Sequence, residues 1–199
     1  AHHWFAADRP LEAFRASIEA AVAAEAVFAY GSALRQYERA IELEPRIQRG
    51  PDDPDPVELR RAAAQAADDA GDSDRAIGWL RDALSRVDET DDPIRAGVLH
   101  GRMGYSLWIA ERNEDALAEH LEAVRLVPAD PATAERARVL VGYSGWLMGA
   151  GRYGESATVA REALVAAETA GARVDEGRAR SNLGQDLVSL GEMEAGIAE

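Results

Sequence analysis

Small residues recur every 40 residues along most of this chain, and this repeat limits the fold more than any other feature of the sequence. A second and a third set of small residues follow the first set twelve and nineteen residues on. Two antiparallel helices whose axes approach to roughly 8–10 Å cannot carry long side chains where they cross. The repeat therefore predicts paired helices. The three sets are Ala64, Gly104, Ser144 and Gly184; Ala76, Ala116, Ser156 and Gly196; and Ala83, Ala123 and Ala163.

Turns between the paired helices are predicted seven residues after the first set, where glycine is frequent and suits a chain that leaves a helix. These positions are Gly71, Glu111, Gly151 and Gly191. Helix starts are predicted at three Asp-Pro pairs, because Asp accepts from the first backbone N–H groups and Pro fits the first helical position. The pairs are 55–56, 92–93 and 130–131.

The sequence thus predicts an all-α protein in which 1–199 forms a single helical-repeat domain of about five helix pairs. The predicted hairpins are 10–45, 56–88, 93–128, 131–169 and 173–199. Residues 46–55, rich in Asp, Pro and Gly, interrupt the repeat and are expected to be mobile or to form an acidic bulge. The last hairpin stops within its second helix, so we expect the sequence to be a fragment of a longer protein.

Charge and composition exclude several classes of function. The 199 residues contain 22 Lys and Arg against 36 Asp and Glu, a net charge of -14, which should repel nucleic acid and anionic lipid. The lack of cysteine rules out disulfides and cysteine-based zinc sites. No apolar run approaches the roughly 20 residues that span a bilayer, so no membrane contact is expected.

Motifs that could carry chemistry have simpler structural interpretations. The glycines of 149–154 match G-x-G-x-x-G, but a helix precedes them and Gly151 occupies the repeat's turn position. Ser144 lacks the second glycine of a hydrolase elbow. The histidines lack metal-ligand spacing, and zinc at His2 and His3 is the less favoured interpretation of that pair. His120 is predicted to pack in place of an aromatic residue. We therefore expect no enzyme activity, no metal and no cofactor in this segment.

The repeat resembles the tetratricopeptide repeat, and one unit matches it closely. Its leucine-glycine, large, alanine, alanine and proline positions correspond to Met103-Gly104, Leu107, Ala116, Ala123 and Pro128. The resemblance implies a right-handed tetratricopeptide-like helical-hairpin solenoid. The 40-residue period exceeds the usual 34 and is similar to the MalT-like subgroup. Basic residues also stand where Trp or Leu is common, namely Arg60, His100 and Arg180.

A second resemblance covers the whole chain: AHHWFAA, SALRQYERAIEL, ERARVL, GRYGESATVAREAL and ARSNLG are similar to the helical-repeat region of large actinobacterial LuxR-type regulators. In those proteins this region lies between a STAND-type ATPase module and a helix-turn-helix domain. The resemblance implies a cytoplasmic protein that senses an inducer or partner, with homo-oligomers formed by the parent protein. ATP is implied only for the parent's other module. The alternative is a stand-alone tetratricopeptide scaffold that binds a peptide or protein.

The tetratricopeptide resemblance also implies a binding groove lined by the first helix of each pair. Groove positions lie three before, one after and four after the first small residue of a unit, and Arg61 and Arg138 are candidate anion contacts. Tyr105, Trp108, Val141 and Met148 would form an apolar patch for a protein, peptide or small-molecule inducer. Alternatively, Trp108 and Met148 only pack between neighbouring repeats. The candidate groove residues are Arg61, Gln65, Tyr105, Trp108, Arg138, Val141, Met148 and Gln185.

Overall fold

All regular elements that the structure describes are helical, as the repeat predicts. The structure is a computed structural model that describes residues 9–199. The helices are α1 (Pro10–Glu25), α2 (Tyr30–Leu43), α3 (Pro56–Asp69), α4 (Ser73–Leu84), α5 (Pro93–Ile109), α6 (Asn113–Leu126), α7 (Ala134–Gly149), α8 (Tyr153–Ala170), α9 (Arg173–Ser189) and α10 (Met193–Ala198), with a 3-10 turn at Glu44–Arg46.

The helices form five consecutive antiparallel pairs, which confirms the predicted number of hairpins. The chain divides into two compact units, one ending at Arg86 and one beginning at Val87. The first unit contains the pairs α1/α2 and α3/α4, and the second contains α5/α6, α7/α8 and α9/α10. The single domain over 1–199 stays a prediction.

The small residues lie at the helix crossings, as predicted. Ala64, Ala76 and Ala116 are completely buried. A Cβ atom placed on Gly104 would lie 2.9 Å from the His120 ring of the paired helix, so a larger residue does not fit there. In the next pair, the Ser156 hydroxyl donates to the Ser144 carbonyl oxygen at 2.8 Å. The crossings are therefore close enough to need these residue types.

All four predicted turn positions adopt a left-handed backbone conformation. The φ angles are +81° at Gly71, +60° at Glu111, +73° at Gly151 and +90° at Gly191. At each turn, the following N–H reaches the carbonyl oxygen five residues earlier, for example from Arg112 to Leu107 at 2.9 Å. This is the Schellman arrangement that ends helices. Glu111 adopts it despite its side chain, which ordinarily costs about 1–2 kcal/mol.

The left-handed turn predicts opposite changes in the free energy of unfolding for substitutions at two equivalent positions, Glu111 and Gly151. Glu111→Gly is expected to raise the free energy of unfolding by about 1 kcal/mol, because glycine adopts positive φ without strain. Gly151→Ala is expected to lower it by about 1 kcal/mol for the same reason. Urea denaturation followed by circular dichroism measures both changes. Gly177→Ala is the control, since Gly177 lies within α9 with open space around it and should gain stability from alanine.

Two of the three predicted helix starts are confirmed, and the third is wrong. The Asp55 carboxylate accepts from the Val57 N–H at 2.8 Å, and Asp92 caps α5 in the same way. At Asp130-Pro131 no helix starts, and α7 begins at Ala134. Here the Thr133 hydroxyl accepts from the Arg136 N–H at 3.1 Å, so Thr133 takes the capping role.

The acidic insertion contacts α1 through an ion pair between Arg15 and Asp53. Arg15 donates to the Asp53 carboxylate at 2.7 and 3.0 Å, and the Gly50 N–H donates to it at 2.8 Å. The hydrogen bond from Arg15 lowers the pKa of Asp53. Asp55 caps α3, so both carboxylates have structural partners.

The basic residues that depart from the tetratricopeptide pattern all form ion pairs. The Arg60 guanidinium is almost fully buried and contacts Glu44 at 2.7 Å, Asp82, and the Pro56 carbonyl oxygen at 3.0 Å. Arg180 contacts three glutamates. Charged pairs thus replace the large apolar residue at these positions.

His100 lies between two carboxylates of the second unit. Its Nδ1 is 2.5 Å from Glu119, and its Nε2 is 3.3 Å from Glu89. Burial opposes the charged imidazolium, but the two carboxylates outweigh it and raise the pKa of His100. A cationic ring can donate to both neighbours, which a neutral ring cannot.

Candidate functional site

The predicted groove positions of the second unit form one surface on α5, α7 and α9. Two arginines lie on the same side of these helices, each six residues before the first small residue of its unit. They are Arg138 of α7, before Ser144, and Arg178 of α9, before Gly184. We call this surface the first-helix face. It comprises Gly101, Tyr105, Trp108, Arg138, Val141, Gly145, Met148, Arg178, Ser181, Gln185 and Val188.

The α5 part of this face is partly covered by α7. Val139 of α7 lies 3.5 Å from where a Cβ on Gly101 would be. The Trp108 ring lies so close to Gly149 of α7 that a Cβ there would be 2.9 Å from it. Trp108 therefore packs between neighbouring repeats, which was the alternative interpretation of this residue.

Tyr105 remains accessible between these two contacts. Its side chain is 39% exposed, and its ring meets the Trp108 ring edge-on with centroids 6.2 Å apart. The guanidinium carbon of Arg102 lies 4.9 Å from the Tyr105 centroid, a cation–π distance. Two aromatic rings and one cation thus form a half-exposed cluster, with the polar and apolar character that binding surfaces favour.

The α7 part of the face is joined to α9 by an amide side chain. Asn182 donates to the Val141 carbonyl oxygen at 3.2 Å and to the Ser144 hydroxyl at 2.8 Å. Val141 and Met148 are half-buried. The α9 part is open instead: Ser181, Gln185 and Val188 are exposed. They border a depression of about 420 Å³ that Arg180, Gly184, Ser189, Gly196 and Glu199 also line.

Two arginines of the first-helix face share one buried carboxylate. Arg138 of α7 and Arg178 of α9 occupy equivalent repeat positions, and their side chains are 53% and 64% exposed. Each approaches Asp175, at 3.8 and 3.9 Å, whereas the Asp175 side chain is only 6% exposed. Two cations thus face a single anion at distances longer than a charge-assisted hydrogen bond of about 2.7–2.9 Å.

The two candidate residues of the first unit are occupied within their own helix. Arg61 donates to Glu58 at 2.7 Å, and Gln65 donates to Asp69 at 2.8 Å. Each of these side chains therefore has a hydrogen-bond partner on α3.

The structure brings six of the eight candidate residues together on the first-helix face of the second unit. They are Tyr105, Trp108, Arg138, Val141, Met148 and Gln185. Sequence reasoning missed Arg178, although the 40-residue spacing from Arg138 could have found it. It also missed Asp175 and Asn182, which no repeat position marks.

The other motifs have structural roles. Gly151 forms the turn between α7 and α8, and no strand precedes it within residues 9–199. Ser144 is buried and donates to the Val141 carbonyl oxygen at 3.0 Å. His120 is 1% exposed beside Gly104 and Tyr143, and burial lowers its pKa to about 4, so it packs as a neutral ring.

The described part of the chain contains neither a cluster of metal ligands nor a membrane-spanning helix. No group of three His, Asp or Glu side chains in it could hold a metal ion. His2 and His3 lie outside the described residues. None of its helices has the length and apolar character needed to cross a bilayer.

Solved structures identify the fold to which these helix pairs belong. A putative kinesin light chain of Podospora anserina with tetratricopeptide-like repeats has a TM-score of 0.68 at 11% identity, covering 92% of this chain and 89% of that one. The MamA protein has a TM-score of 0.57 at 12% identity, covering 94% and 87%. The fold is a tetratricopeptide-like helical solenoid.

A third similar structure is larger than this chain. Aspartyl phosphate phosphatase F from Bacillus subtilis has a TM-score of 0.78 at 13% identity, and the match covers 95% of this chain but 49% of that protein. No protein-family model and no curated protein matches the sequence. At these identities the comparisons establish the fold alone.

Proposed function

We propose that this chain is a non-enzymatic repeat module that binds a protein, peptide or small-molecule inducer through its first-helix face. We further propose that it is the effector-sensing region of an ATP-dependent, LuxR-type transcriptional regulator. The tetratricopeptide-like fold supports the binding role. The sequence resemblance to regulators of that type supports the second part.

The half-exposed cluster of Tyr105, Trp108 and Arg102 is the observation that carries this proposal. Aromatic and arginine side chains supply large contact areas and are enriched where binding energy concentrates. Trp108 also packs on Gly149 of the next hairpin. A ligand on Tyr105 would therefore act beside the contact between α5 and α7 and bias their spacing.

The remaining parts of the proposal concern the parent protein. ATP would bind only in its separate ATPase module, and this segment would contain no cofactor. Its net charge of -14 opposes direct binding to nucleic acid. A cytoplasmic location, the lack of membrane contact and homo-oligomer formation by the parent belong to the same proposal.

Site-specific photo-crosslinking in cells that express the full-length parent tests this face. We expect p-benzoylphenylalanine in place of Tyr105 to give a covalent adduct on irradiation. The same residue in place of Leu121, an apolar position on α6 that is 49% exposed against 39% for Tyr105, should give none. Adducts at neither position, or at both in equal yield, would contradict the proposed binding face.

A stand-alone tetratricopeptide scaffold is the second candidate function, because the same surface could hold a peptide without any regulator around it. The parent reading frame separates the two. An ATPase segment before this region and a helix-turn-helix segment after it support the regulator, and a frame without them supports the scaffold.

A further inference from the structure

Arg138 and Arg178 differ from other arginines of the second unit in how they meet carboxylates. Arg112 and Arg152 pair with an acidic residue three positions along the helix at 2.6 and 2.5 Å. Arg178 is also three residues from its partner Asp175, yet the two remain 3.9 Å apart. Arg138 reaches the same carboxylate only at 3.8 Å. One buried acid therefore leaves the hydrogen-bonding capacity of both guanidinium groups largely unused.

The position of this pair makes it accessible to a ligand. Arg138 and Arg178 lie on adjacent first helices, and their side chains are more than half exposed. Both point to one carboxylate, so their guanidinium groups converge. A planar guanidinium can bind an incoming carboxylate through two parallel hydrogen bonds, which the long contacts to Asp175 do not provide.

We propose that Arg138 and Arg178 form a docking site for a glutamate- or aspartate-rich segment of a protein partner. This inference rests on the proposed function of the first-helix face and names the class of its partner. Asp175 lies within 3.8 and 3.9 Å of the two guanidinium groups in the free protein. An acidic side chain of the partner competes with Asp175 for the outer N–H groups of both guanidinium groups. Arg138, Arg178 and Asp175 together carry one positive charge, so attraction of an acidic side chain is local to this pair and acts against the net charge of -14 of the whole chain.

Fluorescence anisotropy with a labelled octaglutamate peptide tests the site directly. We expect saturable binding by the wild-type chain at 50 mM salt and at least about fivefold weaker binding by the double variant Arg138→Gln/Arg178→Gln. The control is Arg161→Gln/Arg173→Gln, which removes the same charge from exposed arginines of α8 and α9. An equal loss in the control, or no saturable binding by wild type, overturns the proposal.

A second variant keeps the test decisive if the arginine variants fold poorly. Asp175→Asn removes the internal competitor and leaves both arginines in place. We expect it to bind octaglutamate about two- to fivefold more tightly than wild type. Unchanged or weaker binding by this variant contradicts the competition on which the proposal depends.

Other occupants are outcomes of the same experiment. Tighter binding of an eight-nucleotide oligothymidylate through the same two arginines would assign the site to phosphate and overturn the proposal. Self-association of the chain that the double variant abolishes would assign it to a second copy and do the same. If octaglutamate does not bind but Tyr105 crosslinks to a partner, only this inference is wrong. The crosslink tests the first-helix face and does not depend on the two arginines.

Discussion

Replacing Arg60 with Ala is expected to lower the free energy of unfolding by about 3 kcal/mol, the largest single-site loss that we predict. The Arg60 side chain is 4% exposed and forms ion pairs with both Glu44 and Asp82. Its removal takes the buried cation from Glu44, whose side chain is only 12% exposed, and leaves it the more exposed Arg49 at 3.2 Å. The loss falls at the lower end of the range for buried pairs, because Asp82 is 34% exposed and keeps some contact with water. Urea denaturation with linear extrapolation measures it.

Arg86→Ala is the matched control for this experiment. Arg86 contacts the same Asp82 at 3.1 Å, but its side chain is 43% exposed and the pair lies one helical turn apart. Such surface pairs contribute about 0.3–0.5 kcal/mol. Equal losses in the two variants would show that burial of Arg60 does not determine its contribution.

Acidification is expected to destabilise the protein through His120, by about 3 kcal/mol once the pH has fallen from 7 to 4. Burial lowers the pKa of His120 to about 4, whereas an unfolded histidine titrates near 6.5. The unfolded chain therefore binds a proton first. The stability contributed by the neutral ring is fully present above pH 6.5 and is lost progressively as the pH falls toward 4, by about 1.4 kcal/mol for each pH unit.

The measurement is the difference in unfolding free energy between wild type and His120→Leu at pH 7 and at pH 5. Carboxylates titrate equally in both proteins, so the difference isolates His120. We expect wild type to lose about 2 kcal/mol more than the variant over this interval. The raised pKa of His100 makes its own contribution change above pH 6.5, but His100 is present in both proteins and this change cancels in the difference. Parallel losses in the two proteins would contradict a neutral buried His120.

Most of the fold follows from the repeat, because helix crossings and tight turns restrict residue type strongly. Gly104 and Ser156 lie at crossings where a larger residue meets the partner helix. Glu111 shows that spacing alone can locate a turn, since this glutamate adopts the same left-handed conformation as the glycines at equivalent positions. Helix starts are less certain from sequence. Asp130 and Thr133 could both cap α7, and only the path of the chain selects Thr133.

The candidate site was harder to predict, because exposure and pairing depend on which helix covers which. Trp108 and Tyr105 share one stripe of α5, yet Gly149 of α7 covers the first and leaves the second accessible. The pairing of Arg138 with Asp175 joins residues of different helices through long side chains. No spacing in the sequence specifies such a contact.

The indole of Trp108 packs against the backbone at Gly149 of the next hairpin. The fluorescence of Trp108 therefore depends on the distance between these two successive hairpins. Separation of the two hairpins at this contact would expose more of the partly buried ring to water and shift its emission to longer wavelength. In a variant whose other tryptophans, Trp4, Trp79 and Trp146, are replaced by phenylalanine, changes in the spacing of these hairpins can therefore be followed in real time without attaching a dye.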